Sequence, residues 1–276
     1  MKVVRRAAKR IFTKTKIPRA SYVINQYVGC EHACVYCYAK FMCRWKSYGA
    51  WGSWVEAKVN APTLIKGKYV RGRVYMSSVS DPYQPIERKL LLTRRVLANM
   101  HKGVRLSVLT KSDLILRDLD VLSEFKDVEV GLTVSGLDRK FEPYAATHEQ
   151  RVAALKTLSE NEMRVYAFIS PIIPHFTDIE AVVRETKNFV DYYWLELLNL
   201  QACGTKCVRL LESVAPESLK ILSNETLLKN YVRDDLKKIL EKMNVAIRGI
   251  VVHPAASKRR WIVIRRDGVM RPISFV

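Results

Sequence analysis

No apolar run in this chain of 276 residues approaches the 18 or so that a membrane-spanning helix requires. Runs such as residues 192–198 are short, and Glu196 interrupts that one. The basic start, MKVVRRAAKR, leads into no apolar stretch or small-residue cleavage site, so no secretion signal is read and a cytoplasmic setting is expected. Internal repeats and low-complexity stretches are absent, which leaves out solenoids and linker-like chains. Glycine is scarce at 11 residues, too few for collagen, while 49% hydrophobic and 27% charged residues are the balance of a folded chain. At this length one large core or two small ones can be buried.

Acidic residues are missing where basic ones gather. Lysine and arginine number 47 against 27 Asp and Glu, a net charge of +20. Residues 1–20 hold eight basic side chains and no acidic one, and residues 248–276 hold seven against Asp267 alone, so 14 of the 20 excess charges sit near the two ends. Clustered cations gain by releasing counterions from a phosphate backbone, so a nucleic acid is the expected partner; a basic tail that merely aids solubility is the plainer alternative.

Between the ends, short apolar runs alternate with helical patterns, as in a parallel sheet built from βαβ units. Strands are expected at 74–77, 105–110, 128–134, 164–170 and 192–198, and helices at 87–100, 113–125, 148–160 and 178–189. This rhythm predicts an α/β fold, a partial (β/α)6 TIM-type barrel, whose chemistry would sit at the C-terminal ends of the strands. After residue 200 the pattern predicts a loop holding Cys203 and Cys207, a charged helix at 225–242, and strands at 246–252, 260–266 and 269–275, with Asp267-Gly268 as a two-residue hairpin turn. The expected division is a basic N-terminal extension (1–20), a core barrel (21–200), and a C-terminal helix and basic hairpin (201–276).

Six cysteines in a reducing compartment suggest metal binding or catalysis rather than disulfides. Three of them stand in Gly29-Cys30-Glu31-His32-Ala33-Cys34-Val35-Tyr36-Cys37-Tyr38-Ala39. Thiols at this spacing can surround one cubic iron–sulfur cluster, leaving a corner without a protein ligand, or can hold zinc with His32 or Cys43 as a fourth ligand. Gly29 permits a tight turn into the loop at positive φ.

The pattern C-x3-C-x-aromatic-C resembles the signature of the radical S-adenosylmethionine (SAM) superfamily, with Cys30, Cys34, Tyr36 and Cys37 matching position by position. The surrounding GCEHACVYCYA is similar to the branch that contains spore photoproduct lyase. SDPYQPIE (80–87), LTKS (109–112) followed by LILRD, FEP (141–143) with Arg151 downstream, and SPIIP (170–174) agree in order over roughly residues 18–185. The resemblance implies a [4Fe-4S] cluster held by Cys30, Cys34 and Cys37, with SAM on its open iron. Reductive cleavage would then give a 5'-deoxyadenosyl radical, the electron coming from a donor such as ferredoxin or flavodoxin.

By the same resemblance Tyr36 packs against adenine, Ser80 and Asp81 serve the SAM amino group, and Lys111 and Ser135 serve its carboxylate or ribose. Glu142 and Arg151, nine residues apart, form an ion pair at the rim or contact SAM separately, with a purely structural salt bridge as the alternative. Photoproduct lyases carry a hydrogen-donating cysteine two positions before the serine equivalent to Ser80; here that position is Ser78, whose O–H bond is too strong for the task. Cys203, Cys207 and Cys43 are candidates for an auxiliary cluster or zinc, against a reading as plain buried cysteines. The expected substrate is a nucleic acid, with an RNA or tRNA base ahead of DNA. Lys258, Arg259, Arg260, Arg265 and Arg266 would contact phosphates, and Trp261 could stack on a base. The alternatives are a radical enzyme acting on a peptide or protein and a zinc-dependent nucleic-acid-binding protein.

Overall fold

A computed structural model describes residues 1–254, together with the backbones of 261–266 and 269–274. Its strands are β1 (Lys2–Arg6), β2 (Phe12–Lys14), β3 (Tyr22–Ile24), β4 (Tyr27–Val28), β5 (Trp54–Lys58), β6 (Arg73–Met76), β7 (Arg105–Thr110), β8 (Val128–Thr133), β9 (Arg164–Ile172), β10 (Tyr192–Leu197), β11 (Ile247–Val252), β12 (Trp261–Arg266) and β13 (Val269–Ser274). A ten-stranded sheet runs in the order β13-β12-β11-β10-β9-β8-β7-β6-β3-β2, and a small one pairs β1, β5 and β4. From β3 through β11 every neighbour is parallel, with β2, β12 and β13 antiparallel at the two ends. Among the described residues β2 and β13 do not pair, so the barrel stays open. No described helix is long and apolar enough to cross a membrane.

Alternation along the strands explains both the core and the lumen. Val74, Met76, Leu106, Val108, Val130, Leu132, Val165, Ala167 and Leu195 are fully buried against the surrounding helices. The residues between them, Tyr75, Ser107, Glu129, Tyr166 and Trp194, face a central cavity. With period two, one face of each strand makes the core and the other a polar and aromatic wall. Gly131 and Gly249 make room there: a Cβ on the first would lie 2.2 Å from the Tyr166 ring, and one on the second 2.3 Å from Trp194.

The helix His148–Glu160 starts where its Thr147/Gln150 capping box dictates. The expected helix over 87–100 is two helices, Glu87–Leu90 and Leu92–Asn99, broken at the left-handed Leu91 (φ 49°). The buried Glu87 carboxylate accepts from the Thr93 and Arg94 amides at 2.9 and 3.3 Å, capping the second helix from outside. The expected helix over 113–125 is a 3-10 helix, Asp113–Asp118, followed by one turn at Leu119–Leu122.

Cys203 and Cys207 are not in a loop. They lie on helices Leu200–Cys203 and Thr205–Val214, hinged at Gly204 (φ 77°). Cys203, closing the first helix, is fully buried, and so are Cys207 and Leu211, four residues apart on one face of the second. The charged helix of the C-terminal region contains a π-helical segment, Tyr231–Leu236, between Glu225–Asn230 and Lys237–Met243. Residues 1–20 carry β1 and β2, and β11 adds to the sheet beside β10.

Candidate active site

The cysteine loop follows β3 and β4, at the C-terminal end of the first parallel strand. Gly29 turns the chain at φ +83°, and a Cβ there would lie 2.7 Å from the Trp54 carbonyl oxygen and 2.8 Å from its ring, so only glycine passes the buried tryptophan. The loop is pinned from beneath. The Val35 amide donates to the Phe141 carbonyl (2.9 Å) and the Tyr144 amide to the His32 carbonyl (3.3 Å), which gives the Phe141-Glu142-Pro143 segment a structural task. Asn25 braces the next strand end, accepting from the Ser78 amide at 2.7 Å.

Cys30, Cys34 and Cys37 line one cavity of about 310 Å3, within the range of small-molecule sites. Burial pushes all three thiols above their ordinary pKa, Cys30 further because of the Asp81 carboxylate and Cys34 because of Glu142. Such thiols become thiolates when a bound cation compensates. Among the described residues no three Cys, His, Asp or Glu groups stand together as ligands of a single metal ion. Tetrahedral zinc with S at about 2.3 Å needs its ligands gathered at one point. Thiols ringing a cavity suit a cluster that offers each sulfur its own iron. His32 lines the same cavity, its buried Nδ1 3.5 Å from Asp81 Oδ2, whereas Cys43 is not in the cavity wall.

Ser78, Ser80, Asp81, Lys111 and Tyr36 join the thiols around this cavity. Ser80 Oγ donates to the Tyr27 carbonyl at 3.1 Å. Both Asp81 oxygens already have donors: Oδ1 accepts from the Tyr83 amide (2.8 Å) and Thr110 Oγ1 (2.6 Å), and Oδ2 from the Lys111 amide (2.8 Å). Asp81 thereby locks the ends of β6 and β7 together. The Lys111 ammonium sits 5.8 Å from the centre of the Tyr36 ring.

Glu142, Arg151 and Ser135 stand behind the wall rather than in it. Glu142 and Arg151 are 2% and 1% exposed and form a buried ion pair, not one at the rim. Tyr36 Oη donates to the other Glu142 oxygen, while Arg151 also donates to the carbonyls of Thr133 (2.9 Å) and Thr147 (3.3 Å). Burial alone would raise the Glu142 pKa, but Arg151 and Lys111 outweigh it and hold the carboxyl below its usual value. The buried Ser135 Oγ has no partner among the described residues. Cys203 and Cys207 are outside the cavity; Cys203 Sγ donates to the Leu200 carbonyl (3.2 Å), and Lys40 Nζ ties the Cys203 carbonyl (2.8 Å) to the cysteine loop. That is the arrangement of a buried pair bracing the loop. Lys258, Arg259 and Arg260 lie outside the described residues, and so do the side chains of Trp261, Arg265 and Arg266 on β12.

The opposite wall holds a cluster that sequence reasoning missed. At the ends of β9, β10 and β11, Glu196 Oε2 accepts from Ser170 Oγ (3.0 Å), and Oε1 pairs with His253 Nε2 (2.9 Å). All three residues line the cavity. A carboxylate that fixes one imidazole nitrogen leaves the ring able to move a proton. The one available signal was a glutamate interrupting the apolar run 192–198; His253 lies 57 residues further on, and only the sheet brings them together.

An open parallel barrel with three thiols and an acid–base pair at its C-terminal mouth defines a cofactor-dependent enzyme. Residues 24–185 match the Radical SAM superfamily model, and the chain belongs to that superfamily. It is 49% identical over 257 residues to an uncharacterised protein of Methanocaldococcus jannaschii, covering 92% of this chain and 98% of the other. An uncharacterised protein of Acidianus two-tailed virus is 28% identical over 226 residues, 72% of this chain and 73% of its own. Among solved structures, a mutant spore photoproduct lyase with bound AdoMet and dinucleoside spore photoproduct superposes with a TM-score of 0.62 at 17% identity, over 91% of this chain and 81% of that one. That likeness is one of fold. The protein is a SAM-dependent radical enzyme, and its family implies a [4Fe-4S] cluster and SAM as cofactors.

Proposed function

We propose that this enzyme modifies a base of a nucleic acid, RNA before DNA, with Cys30, Cys34 and Cys37 as the cluster ligands. The observation that carries the reading is the placement of basic charge: β1 holds Lys2, Arg5 and Arg6 exposed, and Arg6 shares the buried Glu56 with Lys46 (3.7 and 2.6 Å) on the segment that continues the cysteine loop. These N-terminal cations lie on the small sheet that also carries β4, the strand leading into the cysteine loop, which supports a polyanionic partner. Spore photoproduct lyase, similar in fold, is held in solved structures with a dinucleoside lesion.

When bound, the cluster and SAM supply a primary carbon radical that abstracts hydrogen. The chain's own residues then divide the remaining work. Tyr36, held by Glu142, presents its ring to SAM; Lys111 offers a cation to an anionic group; Tyr75, Tyr166 and Trp194 wall the lumen against water, which a reactive radical requires. His253, held by Glu196, exchanges a proton with the substrate. Ser78 occupies the place of a thiol donor, so return of hydrogen to a product radical, as in lesion repair, is not its task. A ferredoxin or flavodoxin supplies the electron. The test is mass spectrometry of tRNA and rRNA nucleosides from a host with and without the gene. A modified nucleoside lost with the gene is expected; an unchanged profile with altered peptides would overturn the reading.

A further inference from the structure

Three of the ten large apolar side chains exposed among the described residues fall within eight positions of one another: Tyr38 (46%), Phe41 (43%) and Trp45 (76%). They lie on or directly after the 3-10 helix Tyr38–Arg44 that leaves the cysteine loop. In a 3-10 helix residues three apart eclipse, so Tyr38, Phe41 and Arg44 form one edge. The Tyr38 and Phe41 rings stack at 6.5 Å and 24°, and Arg44 is exposed. The edge begins at the active site, because Tyr38 lines the cavity. It continues toward charge: Lys46, next to Trp45, reaches Glu56, which Arg6 of the exposed basic strand β1 also reaches.

Contiguous exposed aromatics are costly in water unless a partner covers them. A partner that covers aromatic faces and an adjoining row of cations presents flat π-surfaces and negative charge together, and an unpaired nucleic acid strand does so. An acidic protein would satisfy the cations while leaving the ring faces to side chains of no particular shape. We propose that Tyr38, Phe41, Arg44 and Trp45, with Lys2 and Arg6 on one face of β1, form a stacking track for single-stranded nucleic acid that leads one base into the cavity. This rests on the nucleic-acid reading of the enzyme and adds where and how the strand is held.

The test uses the cluster-loaded chain, prepared anaerobically, and a fluorescent 12-mer of uridine, followed by anisotropy across a salt series. Phe41 and Trp45 are outside the cavity wall, so Phe41→Ala/Trp45→Ala should keep wild-type SAM cleavage in the absence of substrate. It should weaken 12-mer binding by about tenfold or more per ring with the salt slope unchanged, since stacking releases no counterions. Phe41→Tyr/Trp45→Phe should restore binding. Lys2→Gln/Arg6→Gln should instead flatten the salt slope by about 0.7 per lost phosphate contact. Undiminished binding by the alanine variant, with wild type binding well, overturns the track alone. Failure of the wild type to bind at low salt overturns the track and the nucleic-acid reading together. Loss of flavodoxin binding in the alanine variant, with 12-mer binding intact, assigns the surface to a redox partner and overturns the proposal.

Discussion

Glu142→Gln removes one charge from a pair that is almost completely enclosed, and the structure sets the size of the effect. Arg151 is 1% exposed, and two of its donors stay satisfied by the Thr133 and Thr147 carbonyls. Its positive charge, however, loses its counter-charge where water cannot replace it. Leaving such a charge uncompensated costs about 3–5 kcal/mol. For a chain of this size, at about 2–4 °C per kcal/mol, that is a fall in melting temperature of roughly 6–20 °C. Thermal unfolding of the cluster-loaded protein measures it. Glu142→Leu/Arg151→Met, which removes both charges, should recover at least half of the loss, because two buried charges are desolvated in the pair and none in the double variant.

Glu142 titrates lower in the folded chain than unfolded, so its contribution is complete above the ordinary carboxylate pKa of about 4.3 and disappears as pH falls through the depressed folded value. The gap between wild type and Glu142→Gln should therefore hold from neutral pH to about pH 5 and close below it. Glu142→Gln within about 1 kcal/mol of wild type, or a double variant less stable than Glu142→Gln, would refute the reasoning.

Alanine at Cys30, Cys34 or Cys37 should abolish bound iron and the broad absorbance near 400 nm, whereas alanine at Cys203 or Cys207 should leave iron content intact, as measured by iron analysis. Gly29→Ala combines a left-handed backbone, costing about 1–2 kcal/mol, with collision against Trp54, so cluster incorporation should fail before folding does, read from iron per chain alongside circular dichroism. His253→Gln and Glu196→Gln should retain SAM cleavage without substrate but slow substrate modification by about 10²–10⁴-fold. Equal slowing of both activities would show that the pair merely supports the fold.

The order of elements was legible because the chain alternates two periods. Five expected strands match β6 through β10 to within two residues at each end, and the helix 148–160 coincides with its capping box. β3 and β5 were not legible: one has three residues, and the other is an apolar and charged stretch with no clear period. The helix break at Leu91 depends on a glutamate capping amides six and seven residues away, which local propensity does not report.

The amino-acid order by itself narrowed the cofactor chemistry, since three thiols within eight residues suit a cluster or zinc, and the resemblance of the surrounding motifs to the radical SAM superfamily chose the cluster. It also determined that the charge lies at the ends. Only the tertiary structure decided what those features face. Glu142 and Arg151 proved to hold Tyr36 from behind, Glu196 met His253 across two adjacent strands, and Arg6 of the basic β1 came to share Glu56 with Lys46, the residue after the exposed Trp45. Parallel pairing aligns strand ends distant in sequence, and no spacing along the chain records which ends become neighbours.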